Sequence, residues 1–213
     1  MYLPSDRQIR IVIVDDHPVV CSGLTSMLNG HADLAVVGSA SSGAEALALT
    51  DRVKPDLMLL DLRMPGMDGM GVLKAMDNHV QRPRVIILTS FEKEEDIYRA
   101  IRAGAEGYLP KDTPESEIIA AIRAVHGGAR YIPHHVAARL ADRMMRSDLT
   151  PREMEIIALI AQGCTNKQVG HALGISDNTV RHHVNSIMEK LHVSDRTEAV
   201  SIALKVGILP GLD

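Results

Sequence analysis

Three carboxylates, a hydroxyl and an amine stand at the ends of apolar runs in the first half of the chain. Asp15 and Asp16 follow Ile9 to Val14, Asp61 follows Leu57 to Leu60, Thr89 follows Val85 to Leu88, and Lys111 follows Gly107 to Pro110. An apolar run bounded by turn formers reads as a strand buried on both faces, which implies a parallel sheet. Asp61 alone could simply cap the turn that Arg63, Pro65 and Gly66 announce. A second acidic pair at another strand end changes the balance, because open α/β sheets bind ligands at the carboxyl ends of their strands. Three carboxylates in one crevice repel one another unless a hard cation neutralises them. Oxygen ligands with few protein groups suit Mg²⁺. A hydroxyl and an ammonium on the same edge are the groups that hold a transferred phosphoryl.

Those positions need elements to carry them. Leu34 to Val37 is a further short strand. Helices are expected from Pro18 through Leu28, from Ser42 onward, around Gly71 to Met76, over 94–103 and over 115–126. The last begins at Thr113-Pro114-Glu115, a capping residue followed by a first-turn proline, and stops at Gly127-Gly128. Five strands alternating with five helices give a doubly wound α/β domain over residues 8–127. In the flavodoxin-like strand order, strands one and three are neighbours at the topological switch point, which brings Asp15, Asp16 and Asp61 together.

The 213 residues suffice for two domains of ordinary size. Apolar residues make up 46%, yet aromatics are 2% and Trp is absent, so the cores must be aliphatic and Met-filled. No run approaches the ~20 apolar residues of a membrane helix, and Met1 to Arg10 does not resemble a signal peptide. Cys21 and Cys164 have no metal-ligand spacing and read as reduced thiols of a cytoplasmic protein. Charge is uneven: 13 Lys/Arg against 18 Asp/Glu in residues 1–126, 4 against 1 in 127–147, and 6 against 8 in 148–213. A nucleic-acid role for the tail must therefore rest on where its charges fall, since domains of that kind are often strongly basic.

Residues 128–147 form a linker. Pro133 can start a helix with Val136, Leu140 and Met144 four apart, and Arg139, Arg143 and Arg146 then lie on a solvated basic face. From 148 to 213 the pattern is all-helical. Thr150-Pro151-Arg152-Glu153 is a capping box with Pro at the first helical position, and Thr165-Asn166-Lys167-Gln168 is a second box. Ser176 caps a third helix, Asp177 to Leu191, and Arg196 to Val206 is a fourth. Two helices joined through Leu173-Gly174-Ile175-Ser176 match a helix-turn-helix. Val180, Val184, Ile187 and Leu191 form the apolar stripe of the third helix, which turns Asn178, His182, Asn185 and Glu189 away, with Arg181 on the flank. Solvated surface usually explains such a face, but here it has the geometry of a groove-reading helix. His182-His183 does not read as a zinc site, because adjacent helical residues diverge by about 100° and no Cys or acid completes the set.

Residues 8–127 resemble the response-regulator receiver domain of two-component signalling. The resemblance lies in Asp15-Asp16, Asp61 with Pro65-Gly66-Met67-Asp68-Gly69, Thr89-Ser90 and Lys111. It implies that Asp61 is the phosphoacceptor, that Asp15, Asp16, Asp61 and the Arg63 carbonyl hold Mg²⁺, and that Thr89 and Lys111 contact the phosphoryl. Tyr108 is implied as the aromatic switch, turning inward once Thr89 moves onto the phosphoryl. Many receivers place a proline after the lysine, whereas here Pro110 precedes Lys111. Residues 148–210 resemble the LuxR-type DNA-binding domain through Leu149-Thr150-Pro151-Arg152-Glu153, Gln162-Gly163, Thr165-Asn166-Lys167, Thr179-Val180-Arg181, His183-Val184 and Lys190-Leu191. That resemblance puts Arg181, His182 and Asn185 near base edges and Asn166, Lys167, Thr179 and Lys190 near phosphates. The amide of Asn185 suits adenine.

Together the two resemblances point to the NarL/FixJ group. They imply a non-enzymatic transcriptional regulator whose partners are a sensor histidine kinase, promoter DNA and, on phosphorylation, a second copy of itself through residues 196–206. Two other readings compete. An aspartyl-phosphate phosphotransferase also uses an Asp nucleophile at a strand end, but it generally carries a second acid two residues on, where this chain has Arg63. A DNA-binding regulator with a phosphorylation-independent receiver would not need the complete set of acids, Thr and Lys.

Overall fold

The computed structural model describes residues 8–77, 82–90, 93–144 and 148–209. They form two compact units, residues 1–92 with 97–137, and residues 93–96 with 138–213. The stretch Met1–Arg7, read above for a signal peptide, and Arg146 of the basic linker face lie outside the described residues. No helix among the described residues is long and apolar enough to cross a membrane.

Strands β1 (Ile9–Val14), β2 (Leu34–Ala40), β3 (Leu57–Leu60), β4 (Arg84–Thr89) and β5 (Gly107–Pro110) alternate with helices α1 (Pro18–Asn29), α2 (Gly43–Val53), α3 (Gly69–Met76), α4 (Glu94–Arg102) and α5 (Glu115–His126), all in the first unit except the opening residues of α4 up to Asp96, which belong to the second. The sheet has the order β2-β1-β3-β4-β5, with every neighbouring pair parallel. This is the expected doubly wound arrangement. Helices on both faces explain why all four residues of β3 are buried, and why its sequence is an unbroken apolar run rather than an alternating one.

Backbone pairing continues past the strand ends and sets the residues that matter. The Asp61 N–H donates to the Val14 carbonyl at 2.9 Å, the Lys111 N–H to the Thr89 carbonyl at 3.0 Å, and the Asp15 N–H to the Ala40 carbonyl at 3.0 Å. Gly69 packs against the same edge. A Cβ there would lie 2.3 Å from the Asp61 carbonyl oxygen, so only glycine lets α3 start this close to the end of β3.

Three local expectations are corrected. Strand β2 runs to Ala40 rather than stopping at Val37, because a register shift opposite Ile11 and Val12 absorbs one residue and lets Gly38, Ser39 and Ala40 pair with β1. Thr113 does not cap α5. Its N–H closes a turn onto the Pro110 carbonyl at 3.1 Å, and Pro114 occupies the cap position without a side-chain bond. Residues after Gly127-Gly128 are not all linker either: Tyr131 adds an isolated parallel bridge to Gly107, extending the sheet beyond β5.

Helix α6 (His134–Met144) follows, with Val136 fully buried. Arg143 is not on a solvated face. Within the second unit its side chain is 5% exposed, with Nε 2.6 Å from Glu95 Oε2 and Nη2 2.6 Å from Asp148 Oδ1, so charge pairing supports its burial. The rest of the unit comprises α7 (Pro151–Ala161), α8 (Asn166–Leu173), α9 (Asp177–Leu191) and α10 (Arg196–Lys205). Both capping boxes form as expected, and Ser176 caps α9. Gly174 sits in the left-handed region at φ 66°, which ends α8 and begins the turn. Gly170 lets that turn close. A Cβ on it would lie 2.7 Å from the Ile175 carbonyl oxygen.

Candidate functional sites

At the carboxyl edge of the sheet Asp15 is 3% exposed, Asp61 4% and Thr89 0%. The Lys111 ammonium lies 2.7 Å from Asp15 Oδ2 and 2.7 Å from Asp61 Oδ2, bridging the ends of β1 and β3. Burial works against a charge on this lysine. The hydrogen bonds to Asp15 and Asp61 outweigh that cost and hold its pKa above the ordinary value. Asp16 is the more open acid, at 25% side-chain exposure. Its Oδ1 is nonetheless buried and makes no hydrogen bond among the described residues. The backbone N–H of Arg63 reaches Asp61 Oδ1 at a long 3.4 Å.

Ligand atoms from Asp15, Asp16, His17 and Asp61 all lie within 4.8 Å of one another, a grouping that could hold a metal ion. The expected acids are therefore together, and Thr89 and Lys111 close the same edge. His17 was not anticipated there; its only sequence signal is its place directly after Asp15-Asp16. Tyr108 is fully buried in β5. An inward turn triggered by phosphorylation would start from an exposed ring, and in this structure the ring is already inside.

In the second unit the α9 stripe Val180, Val184, Ile187 and Leu191 is buried. Arg181, His182 and Asn185 are exposed side by side, and His183 is half-buried. Arg181 has only a loose contact, 3.6 Å from Asp177 Oδ2, both largely exposed. Such pairs contribute little, so the guanidinium stays available. Lys167 is exposed at the start of α8. The Asn166 side-chain oxygen Oδ1 accepts from Arg196 Nη1 at 3.3 Å, and Thr179 Oγ1 lies 2.8 Å from Ser176 Oγ within the α9 cap. The ammonium of Lys190, expected near phosphates, is 2.6 Å from Glu153 Oε2.

Family comparisons cover both units. Residues 11–123 match the response regulator receiver domain, and residues 147–203 match the bacterial regulatory proteins of the luxR family. The chain is 40% identical over 203 residues to the transcriptional regulatory protein LiaR of Bacillus subtilis, covering 92% of this chain and 96% of that protein. Among solved structures, response regulator ChrA of a heme-sensing two-component system is 39% identical, with a TM-score of 0.56 over 95% of this chain and 99% of that one. RcsB of Salmonella typhimurium, at 24% identity, shares the fold with a TM-score of 0.74, covering 91% of this chain and 98% of that one. The chain belongs to the response-regulator family, as a two-component DNA-binding transcriptional regulator with a receiver domain and a LuxR-type helix-turn-helix.

Glu153, the last residue of the first capping box, is the buried hub of the second unit at 3% exposure. Its Oε2 accepts the Thr150 N–H at 2.7 Å and the Lys190 ammonium at 2.6 Å, and its Oε1 accepts the Ser186 hydroxyl at 2.7 Å. Burial pushes the carboxyl pKa up, but the bonds from Lys190, Ser186 and Thr150 outweigh it and hold the value at about 2 against an ordinary 4.5. Since the folded value is the lower one, this contribution is fully present above pH 4.5 and disappears as pH falls toward 2. A displacement of that size is worth on the order of 3 kcal/mol. Urea unfolding between pH 6 and pH 3, followed by circular dichroism at helix wavelengths, should show the C-terminal unit losing stability in the wild type. Glu153→Gln should be less stable at pH 6 and lose markedly less on acidification.

Proposed function

We propose that the receiver, residues 8–127, takes a phosphoryl group on Asp61 and through the linker 128–147 controls DNA binding by residues 148–213. The observation that carries this reading is the convergence of Asp15, Asp16, Asp61, Thr89 and Lys111 on one sheet edge, with Lys111 bridging two of the acids. A carboxylate oxygen of Asp61 attacks the phosphorus, and the bond from phosphorus to the donor, a histidine nitrogen of a sensor kinase or an acyl-phosphate oxygen, breaks. Lys111 and the Thr89 hydroxyl are the groups able to take the phosphoryl oxygens as they gain charge.

The pocket fits Mg²⁺. Its donors are hard oxygens, and ligand atoms of Asp15, Asp16 and Asp61 lie within 4.8 Å of one another. Asp15, Asp16, Asp61 and the Arg63 carbonyl would hold the ion. When bound, it would offset the negative charge that accumulates on the phosphoryl oxygens.

Phosphorylation adds about −1.5 to −2 charges to a site already rich in carboxylates, so Lys111 and Thr89 must repartition between Asp61 and the new oxygens. That rearrangement is the signal. It drives pairing of two chains through the receiver and through residues 196–206, which places two recognition helices on half-sites about one helical turn apart. Asp61→Asn should abolish incorporation of label from acetyl phosphate while leaving the circular dichroism spectrum unchanged. Sedimentation of wild type with donor and Mg²⁺ should show a dimer that the variant does not form. Undiminished labelling of the variant would remove Asp61 as acceptor.

On DNA, Arg181, His182 and Asn185 read base edges, while Asn166, Lys167, Thr179 and Lys190 lie toward phosphates. Lys167 and Lys190 are distinguished by their surroundings, since Lys190 shares its charge with Glu153. Arg181→Ala should therefore cost ~1–3 kcal/mol of discrimination and change the motif selected from random sequence. Lys167→Ala should weaken all sites alike and lower the salt slope by about one. Lys190→Ala should act mainly on unfolding. A selected motif that survives Arg181→Ala unchanged would show that α9 does not read bases through this residue.

A further inference from the structure

After α5 the chain returns along the outer edge of the receiver sheet. Gly128 stands in the left-handed region at φ 96°, and three residues later Tyr131 lies parallel to β5 opposite Gly107. The Tyr131 N–H donates to the Glu106 carbonyl at 2.9 Å, and its carbonyl accepts the Tyr108 N–H at 3.1 Å. Gly107, between those two partners, lets the segment come this close. A Cβ on it would lie 2.9 Å from Ile86 Cγ1 and 3.3 Å from the Tyr131 carbonyl oxygen. The half-buried Tyr131 ring packs against the core, and its hydroxyl reaches Glu117 Oε1 at a long 3.4 Å. All of these residues belong to the first unit.

The same strand carries the reactive end. Lys111 follows Gly107 by four residues, about 13 Å of extended chain. It bonds through its backbone to Thr89 and through its ammonium to Asp15 and Asp61. One strand therefore has the acidic pocket at one end and the linker at the other. The bridge is the least reinforced pairing of the sheet, two hydrogen bonds on an outer edge, and such pairings open at low cost. The strand order gives the direction. Asp61 follows β3, two strands inward of β5, whereas Tyr131 pairs on the outward side. A phosphoryl group on Asp61 that draws Lys111 inward pulls β5 away from Tyr131. We propose that the Tyr131 bridge is a two-state clip on the linker, closed while Lys111 holds Asp15 and Asp61 and opened when Lys111 and Thr89 turn to the phosphoryl oxygens. Coupling between distant sites requires an element of this kind, with two arrangements that the site can bias. The inference rests on Asp61 being the phosphoacceptor, as proposed above.

The test uses the full chain with acetyl phosphate and Mg²⁺. Amide hydrogen exchange of wild type, followed by NMR, reads the clip directly. After phosphorylation the Tyr131 amide should exchange at least about fivefold faster, while Leu59 inside β3 changes less than about twofold. Tyr131→Pro removes the donated bond without touching the Asp61 pocket. This variant should take label as wild type does. On DNA carrying the motif that wild type selects, phosphorylation should tighten its binding less than about twofold, against about tenfold or more in wild type. Tyr131→Phe keeps the backbone bonds and should behave as wild type. Exchange at Tyr131 that is unchanged, slowed, or accelerated no more than at Leu59 would overturn the inference whatever the variants do. So would a Tyr131→Pro protein that labels and keeps the full gain, or a Tyr131→Phe protein that loses it. If the proline variant takes no label, the wild-type exchange decides alone. A wild type that takes no label on Asp61 would overturn the proposed function itself, and the inference with it.

Discussion

The Lys111 ammonium sits 2.7 Å from an oxygen of Asp15 and 2.7 Å from an oxygen of Asp61, both buried acids, and the order of the first unit is what keeps it there. Burying carboxylates this close together is costly unless an opposite charge stands at hydrogen-bond distance. The strand order makes β1 and β3 neighbours, so their acids converge, and it puts β5 two strands from β3, so the lysine must reach across. The bond from the Lys111 backbone to the Thr89 carbonyl fixes the start of that reach. A group that enters with its own negative charge competes for the same ammonium. On the function proposed above, a reaction at one carboxylate would thereby change what holds two strands together.

The second unit also depends on one buried charge, in a different role. Glu153 closes the cap of α7 and, through Ser186 and Lys190, ties that helix to the recognition helix α9. Its lysine shares its charge with this buried acid. This surface exposes a few basic groups, Arg181 and Lys167 among them, in a tail whose overall balance is acidic. Placement, rather than total charge, makes this surface suitable for a polyanion.

Much of this was legible in the residues. Buried parallel strands are apolar runs with abrupt ends, so β1, β3, β4 and β5 announced themselves, and the reactive groups stood where those runs stopped. The capping boxes at Thr150 and Thr165 are local, and local signals survive folding. What was not legible depended on partners distant in sequence. Glu153 and Lys190 are 37 residues apart and Arg143 and Glu95 48 apart, and nothing near either basic residue foretells its acid. The bridge from Tyr131 to Gly107 needs an open sheet edge that the linker sequence does not display.

A double-mutant cycle on Lys111 and Asp61 tests most directly whether their pairing governs the first unit. Urea unfolding free energies of wild type, Lys111→Met, Asp61→Asn and the double variant would be compared at neutral pH without divalent ions. If the ammonium is what makes the buried carboxylates tolerable, Lys111→Met is strongly destabilising alone and much less so when Asp61 is already Asn. The coupling energy should then be about 1 kcal/mol or more. Additive effects, with Lys111→Met costing the same whether or not Asp61 carries charge, would contradict the account.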